Sequence, residues 1–336
     1  MKAVALKHYL PIDDPQSLLD VDLPKPAPEG RDILVEVRAV AVNPVDTKVR
    51  APKDGEENPP RVLGYDASGV VAATGPDATL FKVGDEVYYA GDITRPGTNQ
   101  QFHLVDERIV GTKPKTLSFA EAAALPLTTI TAFESFFDRL GIDPDGAGAG
   151  QSILIIGAAG GVGSIGIQLA RRAGLVVIAT ASRPETIDWV RELGADHVVN
   201  HCKPLVEQVR AEGFETVDHI AIFNDMTHWE EAVELIAPQH GIVTIDDTDK
   251  PMPMAGMKPK AASLHWEFMF TRAMFKTPDM IEQHRLLSRV ASEIDAGHIR
   301  TTLAQVLTPI NAENMRKAHA LIETGTAKGK IVIEGW

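Results

Sequence analysis

The pattern of apolar and polar positions changes character near residue 150. Before that point, short apolar runs are separated by Gly, Pro and Asp. Residues 1–7 alternate like a strand, and residues 32–42 read as one long strand or a bent pair. Further runs at 68–74, 85–90 and 101–105 are divided by turn residues. Many short strands at this spacing predict a small barrel-like, β-rich region. Ser118-Phe-Ala-Glu121 is a capping box that opens a short helix ending before Pro126. A second helix over about 128–140 leads into the Gly-, Pro- and Asp-rich connector 141–150.

From Gln151 onward apolar strands alternate with helical segments. The predicted strands are 153–156, 175–180, 197–199, 217–222 and 242–245, which is the alternation of a doubly wound parallel sheet. Residues 262–270 read as one further strand, helices follow near 278–297 and 311–323, and 330–334 makes a last strand. At 336 residues, length alone suggests about two domains.

The sharpest local pattern is Ile153-Leu-Ile-Ile-Gly157-Ala-Ala159-Gly160-Gly161-Val162-Gly163, running into an amphipathic segment that ends at Arg172. A buried strand, a glycine cluster and a helix form the phosphate-binding turn of a dinucleotide-binding βαβ unit. The turn needs glycine, the pyrophosphate must approach bare backbone, and the helix must pack closely on the strand. The helix N-terminus offers free N–H groups and a positive dipole end to the phosphates. The residues singled out as cofactor-binding here are Ala159, Gly160, Gly161, Val162 and Gly163. The next strand ends at Ala181-Ser182-Arg183, with no Asp or Glu where an NAD site holds the ribose 2′-hydroxyl. A hydroxyl and a guanidinium suit a 2′-phosphate, so the expected cofactor is NADPH. Ser182 also reads as an N-cap, with Pro184 and Glu185 behind it, and the two roles are compatible at one helix end.

Composition narrows the setting. Charge is −13, which argues against nucleic-acid and anionic-membrane partners. No apolar run approaches the ~18 residues of a membrane span, and the opening Met1-Lys-Ala-Val-Ala-Leu-Lys-His8 is too short and too charged for a signal peptide. The single cysteine, Cys202, leaves no internal disulfide and no cysteine-rich zinc cluster. A cytoplasmic location is expected, with Cys202 chemically inert.

Six segments carry a resemblance over essentially the whole chain: Val42-Asn-Pro-Val-Asp46, Leu63-Gly-Tyr-Asp-Ala-Ser-Gly-Val70, Val83-Gly-Asp-Glu-Val87, Ala122-Ala-Ala-Leu-Pro-Leu127, Ala158-Ala-Gly-Gly-Val-Gly163 and Gly329-Lys-Ile-Val-Ile333. With them the chain resembles the medium-chain dehydrogenase/reductases. The likeness is to the quinone oxidoreductase-like branch, and especially to the subgroup called zinc-binding (zinc-type) alcohol dehydrogenase family proteins. The resemblance implies an α/β protein with a GroES-like, β-rich catalytic domain over 1–126 and 271–336. A doubly wound Rossmann domain with a parallel sheet would cover 127–270, and the cofactor would lie in the interdomain cleft. In the zinc-using branch, the positions of Asn43 and Tyr65 carry cysteine and histidine ligands. Asparagine and tyrosine are poor zinc ligands, and no metal site is expected here.

Without a Lewis acid, oxidation of a simple alcohol loses its support, whereas quinones and activated enones accept hydride with hydrogen-bond help alone. The resemblance suggests catalytic roles for Asn43, Asp46 and Tyr65. Asn43 and Asp46 would be a polar pocket wall or a turn stabilised by Asn43. Tyr65 would donate to a substrate carbonyl or simply pack. Thr131 matches a family threonine near the nicotinamide, and His201 falls where relatives place an aromatic beside the 2′-phosphate. Lys330 begins the strand that closes over the cofactor, and a solvated lysine is an equal reading; Asp66, beside Tyr65, reads as structural. Family members pair through the last strands of the nucleotide domain, so strand 262–270, with Trp266 and Phe268, is expected to form a homodimer or to line the substrate mouth. The leading expectation is a zinc-independent, NADPH-dependent reductase of a quinone or similar small-molecule carbonyl acceptor. The alternatives are an enone or 2-alkenal double-bond reductase, a zinc-type alcohol dehydrogenase, and a non-catalytic NADPH-binding protein.

Overall fold

The computed structural model describes all 336 residues. The chain divides into two compact units, one made of Met1–Ile130 with Phe270–Trp336, the other of Thr131–Met269. No helix is long and apolar enough to cross a membrane.

Eight strands come first: β1 (Lys2–Tyr9), β2 (Leu19–Asp22), β3 (Asp32–Val42), β4 (Lys53–Val62), β5 (Ala67–Thr74), β6 (Glu86–Tyr89), β7 (Phe102–Asp106) and β8 (Val110–Thr112). Six follow in the second unit: β9 (Ser152–Ile156), β10 (Val176–Thr180), β11 (His197–Val199), β12 (Val217–Ile222), β13 (Ile236–Thr244) and β14 (Ser263–Trp266). The chain then returns to the first unit for β15 (Leu303–Leu307) and β16 (Lys330–Glu334).

In the first unit, one sheet runs β15-β16-β3-β5-β6-β8, with β7 also paired to β3, and a smaller sheet runs β2-β1-β4. The large sheet is mixed: β15 and β16 are parallel, while β16, β5 and β7 all run antiparallel to β3. Strand β3 is long because it is apolar on both faces: Ile33, Val35, Val37 and Val40 fill one core cluster, while Ala39 and Ala41 pack with Ala120, Ala123 and Val332 in another. Each fully buried aliphatic side chain of this size contributes roughly 1.5–3 kcal/mol.

The second unit holds a six-stranded sheet in the order β11-β10-β9-β12-β13-β14, parallel throughout. The order reverses between β9 and β12. Sheets of this kind bind ligands outside the strands' carboxyl ends at such a switch point. Leu154, Ile156, Ile178, Ile220, Ile222 and Ile242 form the apolar centre of the sheet.

Three expectations need correction. The strand placed over 262–270 spans only Ser263–Trp266, because its partner β13 ends at Thr244, which pairs with Trp266. Strand β13 begins at Ile236 rather than 242 and carries Gln239 at a φ of +67°. Helix Pro184–Leu193 is capped at Arg183, not Ser182: the Arg183 N–H donates to the Thr186 hydroxyl at 3.2 Å.

Candidate active site

Each unit gathers its own set of candidate residues. In the second unit the glycine turn connects β9 to helix Gly161–Arg172. Gly157 adopts a φ of +83°, a conformation that favours glycine, and its N–H donates to the Thr180 hydroxyl at 3.1 Å. Gly160 is the N-cap and brings no capping side chain, so the first-turn N–H groups of Gly161, Val162 and Gly163 face outward from an uncapped helix end. Gly163 answers to packing: a Cβ there would stand 2.5 Å from the Ala158 Cα and the Gly157 oxygen. Ser164 ties the turn down. Its hydroxyl donates to the Ala159 carbonyl at 3.3 Å and accepts from Trp189 Nε1 at 2.8 Å. Nothing in the local sequence pattern marks the Ser164–Trp189 link, because it joins two helices.

Strands β10 and β11 deliver a second group beside this turn. Ser182 Oγ lies 3.3 Å from His201 Nε2, and Arg183 stands at the N-terminus of helix Pro184–Leu193, where it pairs with Glu185 at 3.2 Å. His201 Nδ1 is buried without a hydrogen-bond partner. Burial lowers the proton affinity of this imidazole, and the neighbouring His228 and Arg183 lower it further. The locality thus combines a guanidinium, a buried imidazole nitrogen without a partner, and helix N–H groups beside them. These are the features of a phosphate site. Thr131 is buried in helix Pro126–Phe133, at the first residue of this unit.

In the first unit, Asn43, Asp46 and Lys330 gather about Asp66, the neighbour of Tyr65 that reads as structural in the sequence. Asn43 follows β3 and caps helix Pro44–Arg50, its N–H donating to Asp46 Oδ2 at 2.8 Å. Asp66 Oδ2 accepts from Asn43 Nδ2 and from Lys330 Nζ, each at 2.8 Å, and its Oδ1 accepts from the Leu127 N–H at 2.7 Å. All three partners donate, which is what an ionised carboxylate requires. Lys330 Nζ also donates to Asn43 Oδ1 and, at 3.2 Å, to the Val42 carbonyl. Its three N–H groups therefore have three acceptors inside the unit, and the residue is 3% exposed. This burial corrects the solvated reading of Lys330 and gives it a structural role within the unit. It likewise gives the Asn43 amide a positional role, since both its ends are engaged.

Asp46 and Tyr65 are the groups left with chemistry to spare. Burial pushes the Asp46 carboxyl up to about 7, with Asp66 adding to the rise and the Asn43 N–H, Lys330 and the Gly64 N–H opposing it. Asp46 Oδ1 is buried and unpartnered. Burial, helped by Asp46, pushes the Tyr65 phenol up to about 12 against the pull of Arg61. Tyr65 is therefore a neutral hydroxyl at any physiological pH, packed edge-on against Phe270 at 5.2 Å. A separate cavity of about 440 Å³, lined by Arg95, His103, Arg108 and Lys276 among others, includes none of the residues singled out from the sequence.

Comparison with known proteins fits this geometry. Residues 29–134 match the alcohol dehydrogenase GroES-like domain, and residues 193–333 match zinc-binding dehydrogenase. The zinc-type alcohol dehydrogenase-like protein SAV2186 of Staphylococcus aureus Mu50 is 43% identical over 335 residues, covering 99% of each chain. The 2-methylene-furan-3-one reductase of Solanum lycopersicum is 30% identical over 99% of this chain and 79% of its own. The crystal structure of a Rhizobium etli CFN 42 protein, described as a zinc-dependent alcohol dehydrogenase, superposes with a TM-score of 0.96 at 57% identity, over 100% of this chain and 98% of that one. Escherichia coli quinone oxidoreductase complexed with NADPH has the same fold, with a TM-score of 0.82 at 22% identity over the full length of both chains.

The zinc in these names does not suit the residues present. No group of three or more His, Cys, Asp or Glu side chains is placed to hold a metal ion. At the polar cluster, the oxygens of Asn43 and Asp66 already serve an ammonium, and Tyr65 stays protonated. Zinc sites use about three or four deprotonated N, S or O ligands. A nicotinamide cofactor, by contrast, suits the uncapped glycine turn and the orphaned His201 nitrogen. With its GroES-like and Rossmann folds and its full-length kinship to the zinc-type proteins, the chain belongs to the medium-chain dehydrogenase/reductase superfamily of oxidoreductases.

Proposed function

We propose that this protein is an NADPH-dependent reductase that reduces a quinone or a similarly activated carbonyl compound without a metal ion. The observation that carries the cofactor assignment is the grouping of Ser182, Arg183 and His201 at the ends of β10 and β11, where an NAD site would present a carboxylate. When bound, the dihydronicotinamide supplies a hydride. The N–H groups of Gly161, Val162 and Gly163, with Ala159 and Gly160 keeping the turn bare, hold the pyrophosphate. Ser182, Arg183 and His201 hold the 2′-phosphate, and Thr131 assists near the nicotinamide. Reducing a quinone to the hydroquinone consumes that hydride and one proton. Asp46, pushed up to about 7, retains a proton to release in the neutral range, and Tyr65 offers a hydroxyl that never ionises there. Asn43 fixes Asp46 through its backbone N–H.

A second reading, reduction of an enone double bond, is favoured by the 30% identity to 2-methylene-furan-3-one reductase. It needs the same hydride and proton. The experiment is NADPH oxidation with an ortho-quinone, a para-quinone and a short enone, with and without a chelator. Chelator-resistant turnover with quinones fastest supports the main reading, and the enone fastest selects the second. Binding of NADPH without turnover on any acceptor contradicts both. We further propose that the protein pairs as a homodimer along the free edge of β14, where Trp266 and Phe268 are 56% and 46% exposed. A monomeric mass by light scattering would contradict this.

A further inference from the structure

The polar cluster of the first unit holds a cation, and the chain supplies it. We propose that the Lys330 ammonium is the resident cation of this site, standing where a metal would need to bind, and that removing it opens a hole that takes a small alkylammonium ion rather than zinc. Nζ meets Asp66 Oδ2 at 2.8 Å, the Val42 carbonyl at 3.2 Å and Asn43 Oδ1. Three donors facing three oxygens satisfy an ammonium completely. The acceptors come from the end of β3 and from the turn before β5, while Lys330 opens β16. Asp66 carries the connection onward by accepting the Leu127 N–H at the start of helix Pro126–Phe133. Lys330 is thus a positioning residue: through Asp66 and Asn43 it fixes the cap of helix Pro44–Arg50, on which Asp46 stands.

The charge count favours a monovalent cation. Asp66 and Lys330 cancel, and the remaining buried carboxyl, Asp46, does not touch Nζ and has an oxygen without a partner. A divalent ion would have to displace the ammonium and would find one ionised carboxylate, one amide oxygen and one backbone carbonyl, too few charged ligands for zinc. The inference extends the metal-free part of the proposed function and does not depend on which acceptor is reduced.

The test uses thermal melting of the full-length protein. Lys330→Ala is expected to melt well below wild type. Propylammonium should raise its midpoint saturably, while tetramethylammonium at equal concentration and zinc should not. Wild type should respond to none of them. A Lys330→Ala variant as stable as wild type, one indifferent to propylammonium, or wild type that binds one zinc per chain would each overturn the proposal. Should Lys330→Ala not fold, the pair Lys330→Met and Lys330→Met/Asp66→Asn decides. Removing the carboxylate along with the ammonium should restore folding or raise the midpoint, and a double variant no better than the single would overturn the proposal. Because melting requires no turnover, failure of the acceptor assignment would leave this result standing. Recovery of NADPH oxidation by Lys330→Ala in propylammonium reads the same role in catalysis.

Discussion

The nucleotide half and the polar half of this molecule are built on opposite plans. In the second unit the candidate groups lie on loops just past the ends of β9, β10 and β11, with backbone N–H groups uncapped and His201 Nδ1 unpartnered. In the first unit the candidate groups are buried and mostly satisfied by one another, with Asp66 accepting from three donors. One half leaves backbone N–H groups and an imidazole nitrogen without protein partners, and the other satisfies its buried groups with a lysine. On the proposed function the difference separates two duties: presenting backbone and charge to a phosphate-rich cofactor, and holding protonated groups in place away from water.

The contrast can be broken at several points. The largest effect expected is on the pH dependence of stability. Asp46 has a folded-state pKa raised to about 7 from 3.8, so the native state binds more protons than the unfolded state between those values. Stability from this group is present below the unfolded value and is lost as pH rises through the folded one, at up to about 1.4 kcal/mol per pH unit. Asp46→Asn should flatten that slope, making the variant gain on wild type from pH 5 to pH 8 in urea unfolding. A constant difference across that range would remove Asp46 from the account.

Next comes the glycine turn. Gly163→Ala places a methyl group against the backbone at Ala158 and should cost about 1–3 kcal/mol while weakening NADPH binding. An unchanged melting temperature would contradict the close packing of helix and turn. Smaller still is Arg183→Ala. Loss of one charged hydrogen bond to the 2′-phosphate should raise the Kd for NADPH by about tenfold, roughly 1.4 kcal/mol, and leave NADH almost unchanged. Equal weakening for both cofactors would mean that Arg183 does not read the phosphate.

The same contrast explains what the sequence disclosed. The turn after β9 is legible because its requirements are local: four apolar residues, glycines at set positions and a helix. Strands β3, β11, β12 and β16 fall at the predicted bounds because their apolar runs are unbroken or end at turn residues. Strand β4 is not legible. Apart from Gly55 and the buried Val62 its residues are polar or prolines, largely exposed, and it pairs with β1 through two register shifts. Residues 262–270 look like a strand because large apolar side chains are dense there, yet pairing stops when β13 stops. The cap at Arg183 was misassigned because Ser182 offers the better capping side chain, while Thr186 supplies the bond. Asp66 is legible only as a structural residue, without its partners. Its importance comes from residues 43, 127 and 330, and no spacing along the chain reveals that meeting.

On the proposed function, this chain selects NADPH through Ser182, Arg183 and His201 and works without a metal. The most direct measurement is the ratio of kcat/KM for NADPH over NADH with one quinone, taken in the presence of a chelator. A ratio well above one that falls toward one in Arg183→Ala is the predicted result. A ratio at or below one, or activity that the chelator abolishes and zinc restores, would contradict the account.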